Sequence, residues 1–412
     1  MNRVGGGNMA TARIRAGTLG VLAVIVLAAS AIGQPTPPAA AEFPGKVRLA
    51  LPKLIYAVSD VETNIYFDNI ILAPNSKNYV FDVRCEKGSL FADRWTYTPG
   101  GEEQGAFPLV LEVSDESNAI VARARSTILV RTGSAGPGAR ATLLVVGDSL
   151  TEASVYTQRL LELSDGPSGP ALRLIGSRGP ENSPAHGANR HEGYSGWTAD
   201  AFVTRAGPLS RSGYYKGEET GSPFVYIENG AKRLDFSKYC AQFNMGKAPD
   251  FVTFALGSND IAYGTDENID AIVDQMLAYL DELVGMVHEY NRSTKIGVLL
   301  TIPPSTSQDG FWNYKGSQRE VRWQYRRNQH RLIERMIEHY GGRDQQRLYL
   351  VPTYLDLDAA HNFVTRSSPW NAQNSSESAR VIDGIHPAAA GYRQMGDMIY
   401  AWIKTCMTDK SQ

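Results

Sequence analysis

The sequence predicts an α/β protein, a parallel sheet with helices on both faces, preceded by a small β-sandwich. Two observations carry this reading. From Ala141 onward, apolar runs alternate with segments of helical spacing, the order in which strands and crossover helices build a parallel sheet. Between Pro44 and Arg131, short β-rich runs are separated by Gly, Pro, Asn and Asp at the intervals of a sandwich. A third stretch, before residue 42, belongs to neither region.

That first stretch reads as an export signal. Arg13 and Arg15 precede an uncharged run from Gly17 to Gly33, and Ala29-Ser30-Ala31 and Ala39-Ala40-Ala41 offer small-residue cleavage sites before a Pro-rich segment. The competing reading is an uncleaved anchor, because the run approaches the roughly 20 residues a spanning helix needs. Gly and Ala interrupt it and no basic stop-transfer flank follows, so cleavage of residues 1–41 is expected. The product would be secreted, periplasmic or at the cell surface, with no stable membrane association after cleavage.

The 412 residues are too many for one small core and suggest two domains. A formal net charge of −2 argues against a nucleic-acid or anionic-membrane partner. Nothing in the sequence fixes an oligomeric state. Three cysteines in an exported chain allow one disulfide. Cys240 and Cys406 are the expected pair, since Cys85 lies in the other domain. None has a second Cys or His at metal-ligand spacing, so no metal site is expected, and the chemistry read below implies no cofactor.

Residues 42–131 form the expected β-sandwich domain, with strands at Val47 to Leu51, Asn64 to Phe67, Tyr79 to Arg84, Leu109 to Val113 and Ala119 to Val130. Leu109, Leu111 and Val113 alternate as a half-buried strand should. A carbohydrate-binding module and a spacer are both open, and the lack of an obvious aromatic platform favours the spacer. Arg131 to Ala139 is rich in Gly, Ser, Ala and Pro, which sets a linker at 132–140.

Residues 141–412 form the second domain. Its strands are read at Leu143 to Val146, Leu172 to Ile175, Phe251 to Leu256, Ile296 to Ile302 and Leu348 to Val351, and five parallel strands suit a flavodoxin-like layout. A helix from Glu152 to Leu163 follows the first strand. A longer one, Ile269 to Tyr290, buries Ile269, Ile272, Val273, Met276, Leu280, Leu283, Val284 and Val287 along one stripe. The last helix begins at Pro387 and turns Met395, Met398, Ile399 and Trp402 inward.

Distinctive groups follow three of these strands: Ser149 in Gly147-Asp148-Ser149-Leu150, Ser195-Gly196-Trp197-Thr198, and Gly257-Ser258-Asn259-Asp260. Loops after parallel strands converge on one sheet edge. Asp148 and Ser149 are also ordinary helix caps, so the first block alone decides nothing. A nucleophile, a flexible amide and a carboxamide at one point make up the donor set of acyl transfer, whose tetrahedral intermediate carries a negative oxygen. Asp383-Gly-Ile-His386-Pro, before the last helix, supplies a base and a carboxylate to orient it.

These blocks resemble those of the SGNH (GDSL-type) hydrolases, in the family's order and across Ala141 to about Cys406. The resemblance implies an SGNH hydrolase domain in which Ser149 is the nucleophile, His386 the base and Asp383 its orienter. Gly196, Asn259 and the Ser149 amide would form the oxyanion hole. The second block, His191 to Thr198, is similar to that of carbohydrate acetyl esterases, and the oxyanion amide is assigned to Gly196 over Gly193. His191 is expected to be a hydrogen-bonded structural residue, and Asp260 to hold its own loop. Gly193, Tyr194 and Trp197 are expected to line the substrate site, Trp197 walling the acyl side. The aromatics of the insertion between Phe202 and Phe236 (Tyr214, Tyr215, Phe224, Tyr226) are expected around the alcohol side, where they suit a sugar ring or an aryl group equally well, with Gly310 to Tyr314 as the opposite wall. The implied partner is an acylated carbohydrate or another small ester. A lipase, thioesterase or arylesterase of the same fold is the alternative, as is a surface binding protein with an inactive hydrolase domain.

Overall fold

The computed structural model describes residues 47–134, 138–166, 169–180, 187–209, 220–315 and 321–408. The expected export segment and the insertion's Tyr214 and Tyr215 lie outside the described residues. Five parallel strands form the central sheet: β1 (Arg140–Gly147), β2 (Ala171–Ile175), β3 (Phe251–Ala255), β4 (Lys295–Leu299) and β5 (Leu348–Val351). Their order is β2-β1-β3-β4-β5. The chain leaves β1 first to one side and later to the other, and at such a switch point the following loops part and open a crevice. A two-residue strand, Glu192–Gly193, extends the carboxyl end of β1 through Val146 and Gly147, bringing the second loop to the same edge.

The helix after β1 is broken where the sequence predicts one continuous segment. α1 (Ser149–Glu152) stops and α2 (Val155–Ser164) begins after Ser154, which takes a left-handed φ of 60°. Ser154 is held there from a distant stretch of chain: its Oγ bonds His191 Nε2 at 2.7 Å, and its carbonyl accepts from Asn189 Nδ2 at 2.9 Å. The remaining helices that matter here are α3 (Ala199–Thr204), α4 (Ile269–Tyr290), α5 (Gln308–Lys315), α6 (Arg322–Tyr340) and α7 (Ala389–Thr408). The expected stripe of α4 is buried except for Ile272, which is half-buried, and Leu277 and Met286 join it. α7 begins two residues later than expected, because Pro387 makes an isolated bridge with Phe363. Its Met395, Met398, Ile399 and Trp402 are core.

In the strand-rich region, a four-stranded sheet runs Leu54–Val58, Ile120–Arg131, Gly105–Ser114, Val80–Arg84, and a three-stranded sheet holds Thr63–Tyr66, Arg94–Tyr97 and Ser89–Leu90. Leu54–Val58, absent from the expected strands, has Ile55 to Val58 all buried. Its second face lies against α7, so no polar alternation marks it.

Buried polar contacts join the two regions. Asp356 Oδ1 accepts from the backbone N–H of Asn64 at 2.6 Å and from its side-chain amide at 2.9 Å. Arg326 Nη2 donates to the carbonyls of Asp68, Asn69 and Ile71 at 2.7 to 3.0 Å. A buried guanidinium left without such acceptors would cost several kcal/mol, so these contacts fix how the regions pack. Cys240 and Cys406 do not pair as expected, and all three cysteines are free thiols. They belong to different buried elements, the helix Phe236–Phe243 and α7.

Candidate active site

β1 gives way to α1 at Gly147, where a Cβ would collide with the Thr151 hydroxyl and the Ala255 carbonyl. Only glycine lets the turn lie this close to β3. Asp148 then caps α1, its Oδ1 accepting from the Leu150 N–H at 2.9 Å, and this leaves the Ser149 side chain unused by the helix. Ser149 Oγ instead meets His386 Nε2 at 2.8 Å, and His386 Nδ1 meets Asp383 Oδ2 at 2.9 Å. A carboxylate only accepts, so Nδ1 carries the hydrogen and Nε2 has the lone pair directed at Ser149.

The Asp383 to His386 loop orders itself. Asp383 Oδ1 accepts from the backbone N–H groups of Ile385 and His386 at 2.8 and 2.9 Å. Burial pushes the Asp383 carboxyl up, but hydrogen bonds from the imidazole and from these two amides outweigh it and hold the group below the usual carboxylate range. Tyr314 of α5 stands edge-on to the His386 ring with centroids 5.3 Å apart. α5 is seated by Asn313 Nδ2 on the Val381 carbonyl at 2.8 Å.

The second loop turns at Tyr194 to Trp197, closed by Trp197 N–H on the Tyr194 carbonyl at 3.2 Å. Gly196 sits at the third position with φ of +77°, where a type II turn favours glycine. Among the described residues neither the Gly196 nor the Ser149 backbone N–H makes a hydrogen bond. Asn259 lies against the same turn, with Nδ2 donating to the Trp197 carbonyl at 3.0 Å and to Asp148 Oδ2 at 3.2 Å. The structure thus brings Ser149, His386, Asp383, Asn259 and the Gly196 turn together at one edge of the sheet.

Gly193, Tyr194 and Trp197 do not line a substrate site as expected. Tyr194 and Trp197 are 0% and 1% exposed, stacked at 4.3 Å between centroids, with Phe202 of α3 edge-on to both. Arg178 covers the Tyr194 ring and Arg205 the Trp197 ring, at 4.7 and 5.1 Å. The turn at Gly196 reverses the chain and drives both rings into the core, where burial of this much aromatic surface is most favourable. Gly193 serves packing, since a Cβ would collide with the backbone of Glu152. Phe224 is likewise core, packed on Phe202, Phe236 and Tyr239.

Beneath the second loop lies a buried hydrogen-bond network centred on Glu192, whose partners Ser177 and Tyr239 the sequence does not mark. The buried Glu192 carboxylate accepts from Ser177 N–H and Oγ at 2.6 Å each, Tyr239 OH at 2.9 Å and Tyr194 OH at 3.0 Å. Burial raises its carboxyl, against those donors. Ser177 and Tyr239 are remote in sequence, so no local signal marks the set. His191 is buried between Ser154 Oγ and the Gly193 N–H, which donates to Nδ1 at 3.1 Å, and burial lowers it to about 3. Asp260 reaches across to the second loop, where its Oδ1 accepts from the Ala199 N–H at 3.1 Å while Oδ2 has no partner among the described residues. Burial pushes Asp260 up to about 7 and Asp148 up to about 6.

A parallel sheet in this order, with a serine, histidine and aspartate in line at its carboxyl edge, defines a class of α/β hydrolytic enzymes. The sequence profile of the GDSL-like lipase/acylhydrolase family matches residues 143–399, and the chain belongs to that family. It is a carboxylic ester hydrolase. Similar solved structures include a Clostridium thermocellum family 3 carbohydrate esterase, at 16% identity over 65% of this chain and 99% of that one, with a TM-score of 0.37. A carbohydrate acetylesterase family member from Sinorhizobium meliloti has 14% identity over 65% and 99%, with a TM-score of 0.36. An M. smegmatis aryl esterase has 14% over 64% and 99%, with a TM-score of 0.34. No curated protein matches the chain.

Proposed function

We propose that this is an exported esterase that removes a short acyl group, acetyl foremost, from a carbohydrate through an acyl-enzyme on Ser149. The observation that carries the reading is the unbroken line from Ser149 Oγ through His386 to Asp383. His386 Nε2 takes the Ser149 proton as Oγ attacks the carbonyl carbon, and Asp383 stabilises the imidazolium. The oxyanion then meets the N–H groups of Ser149 and Gly196. Asn259 joins by turning one amide hydrogen away from Asp148 or the Trp197 carbonyl. Collapse expels the alcohol, which receives its proton from His386. Water, deprotonated by the same ring, releases the acid and restores Ser149.

The short acyl group is supported by the small size of one void beneath the nucleophile turn. The void lined by Leu150, Leu256, Ser258, Thr301 and Met395 holds about 10 Å³, room for one water at most and far from an acyl tunnel. The carbohydrate half is supported by the second block's resemblance to that of carbohydrate acetyl esterases. Export is supported by the arginines and uncharged run at residues 13–33, and the division at 132–140 by composition. Initial rates on p-nitrophenyl esters of rising acyl length, beside acetate release from acetylated polysaccharides, test the reading. Acetate should lead the series, and a preference for octanoate would replace this reading with the lipase or thioesterase alternative.

A further inference from the structure

Between β5 and the Asp383 loop the chain makes a two-stranded ribbon, Thr365–Asn371 paired antiparallel with Asn374–Val381. Of its fifteen strand residues only Val381, at the base, is buried. Such a ribbon is marginal in water on its own, and this one adds almost nothing to the core. Its residues are mostly hydroxyl and amide bearing, such as Thr365, Ser367, Asn371, Asn374 and Ser376, beside Arg366 and the paired Glu377 and Arg380, and Pro369 is its one exposed aliphatic side chain larger than alanine. Within this polar surface stands Trp370, 55% exposed.

The ribbon is tied to the active site by named contacts. Arg380 donates to the Trp370 carbonyl at 2.9 Å, lies 5.6 Å from the centre of its ring, and reaches Asp309 of α5 at 3.4 Å. α5 carries Tyr314 against His386. It also carries Trp312, 60% exposed; of the chain's six tryptophans, only Trp312 and Trp370 are that open. An aromatic face among hydroxyls and amides matches a sugar, which stacks its C–H face and hydrogen-bonds its rim. An acyl chain would ask for aliphatic surface instead.

We propose that the ribbon and α5 form the alcohol-side binding surface for a neutral polysaccharide, with Trp370 holding sugar units remote from the scissile ester. This rests on the esterase reading above and adds the size of the alcohol. Trp370 lies on the ribbon and Trp312 on α5, so the exposed aromatic surface is divided between two elements bridged by Arg380 and Asp309. A surface divided in this way suits several linked sugars better than a single one.

The test compares the full-length protein with Trp370→Ala and Trp370→Phe on p-nitrophenyl acetate and on partially acetylated xylan, mannan and cellulose. Trp370→Ala should keep kcat/KM on p-nitrophenyl acetate within about twofold, lose at least fivefold on one or more polymers through KM, and be restored in part by Trp370→Phe. Equal loss on both substrate types, or no loss on any polymer, overturns the proposal. Binding of the three polymers to Ser149→Ala, followed by tryptophan fluorescence, separates the two readings. Turnover of p-nitrophenyl acetate with neither hydrolysis nor binding of any polymer overturns the ribbon's role alone. A protein inert on p-nitrophenyl acetate overturns the esterase reading, and loss of polymer binding in Ser149→Ala/Trp370→Ala then still decides the ribbon.

Discussion

The loop that bears Asp383 and His386 and the loop that bears Gly196 are built in opposite ways. In the first, Asp383 accepts from Ile385 and His386 backbone N–H groups and from the His386 ring, so four consecutive residues hold their own geometry. In the second, Tyr194 is fixed through Glu192 by Ser177 and Tyr239, the turn touches Asn259 from the third loop, and Ala199 is held by Asp260. The first loop also takes a bond from afar, Ser305 N–H on the Gly384 carbonyl at 2.9 Å, but it should fail chiefly where its own residues are changed. A loop ordered by remote partners should fail from positions that never meet substrate.

The largest expected effect breaks the self-ordered loop. Asp383→Asn leaves an isosteric side chain but presents the imidazole in the wrong tautomer, and kcat should fall by about 10⁴ with the melting temperature nearly unchanged. A loss under tenfold would show that His386 needs no orienter.

Trp197→Ala tests the remotely ordered loop. Were Trp197 a pocket wall, its removal would shift preference towards longer acyl groups. As core packing against Tyr194 and Phe202, its loss should cost on the order of 3–5 kcal/mol of stability, read by denaturant midpoint. A stable variant with raised butyrate activity would contradict its burial.

Glu192→Gln is smaller and sharper. It keeps the shape but faces Ser177 and the two tyrosines with a mixed donor and acceptor, so the oxyanion turn should loosen. We expect kcat on p-nitrophenyl acetate to fall about tenfold, less than the roughly 10²–10³ that outright loss of an oxyanion donor costs, with KM little changed. An unaltered kcat would confine Glu192 to stability.

The smallest effect concerns Asp260. Its folded value of about 7 stands above the ordinary 3.8 through burial, so the folded state holds a proton that the unfolded state has lost between those values. The stability this gives is full at pH below about 4 and lost as pH rises through 7. Asp260→Asn should therefore gain in melting temperature relative to wild type as pH goes from 5 to 8, by a few degrees. A difference independent of pH would mean that Asp260 is ionised throughout.

The same contrast explains what the sequence disclosed. The five sheet strands and α4 were legible because their apolar periods are local, and Asp383 and His386 because three residues of spacing suffice to bond them. Ser154, Glu192 and the rings of Tyr194 and Trp197 were not, since each takes its position from partners 15 to 47 residues away or from the reversal at Gly196. The strand Leu54–Val58 was missed for a related reason. α7, more than 300 residues later in the chain, buries its second face and removes the alternation that marks a strand.

The central claim is that Ser149, activated by His386, is the nucleophile. It is tested most directly by treating the protein with a fluorophosphonate and locating the adduct by peptide mass spectrometry, beside kcat for Ser149→Ala on p-nitrophenyl acetate. The account predicts one adduct, on Ser149, and a loss in the variant of at least about a thousandfold at unchanged melting temperature. An adduct on another residue, or near wild-type turnover by Ser149→Ala, would contradict it.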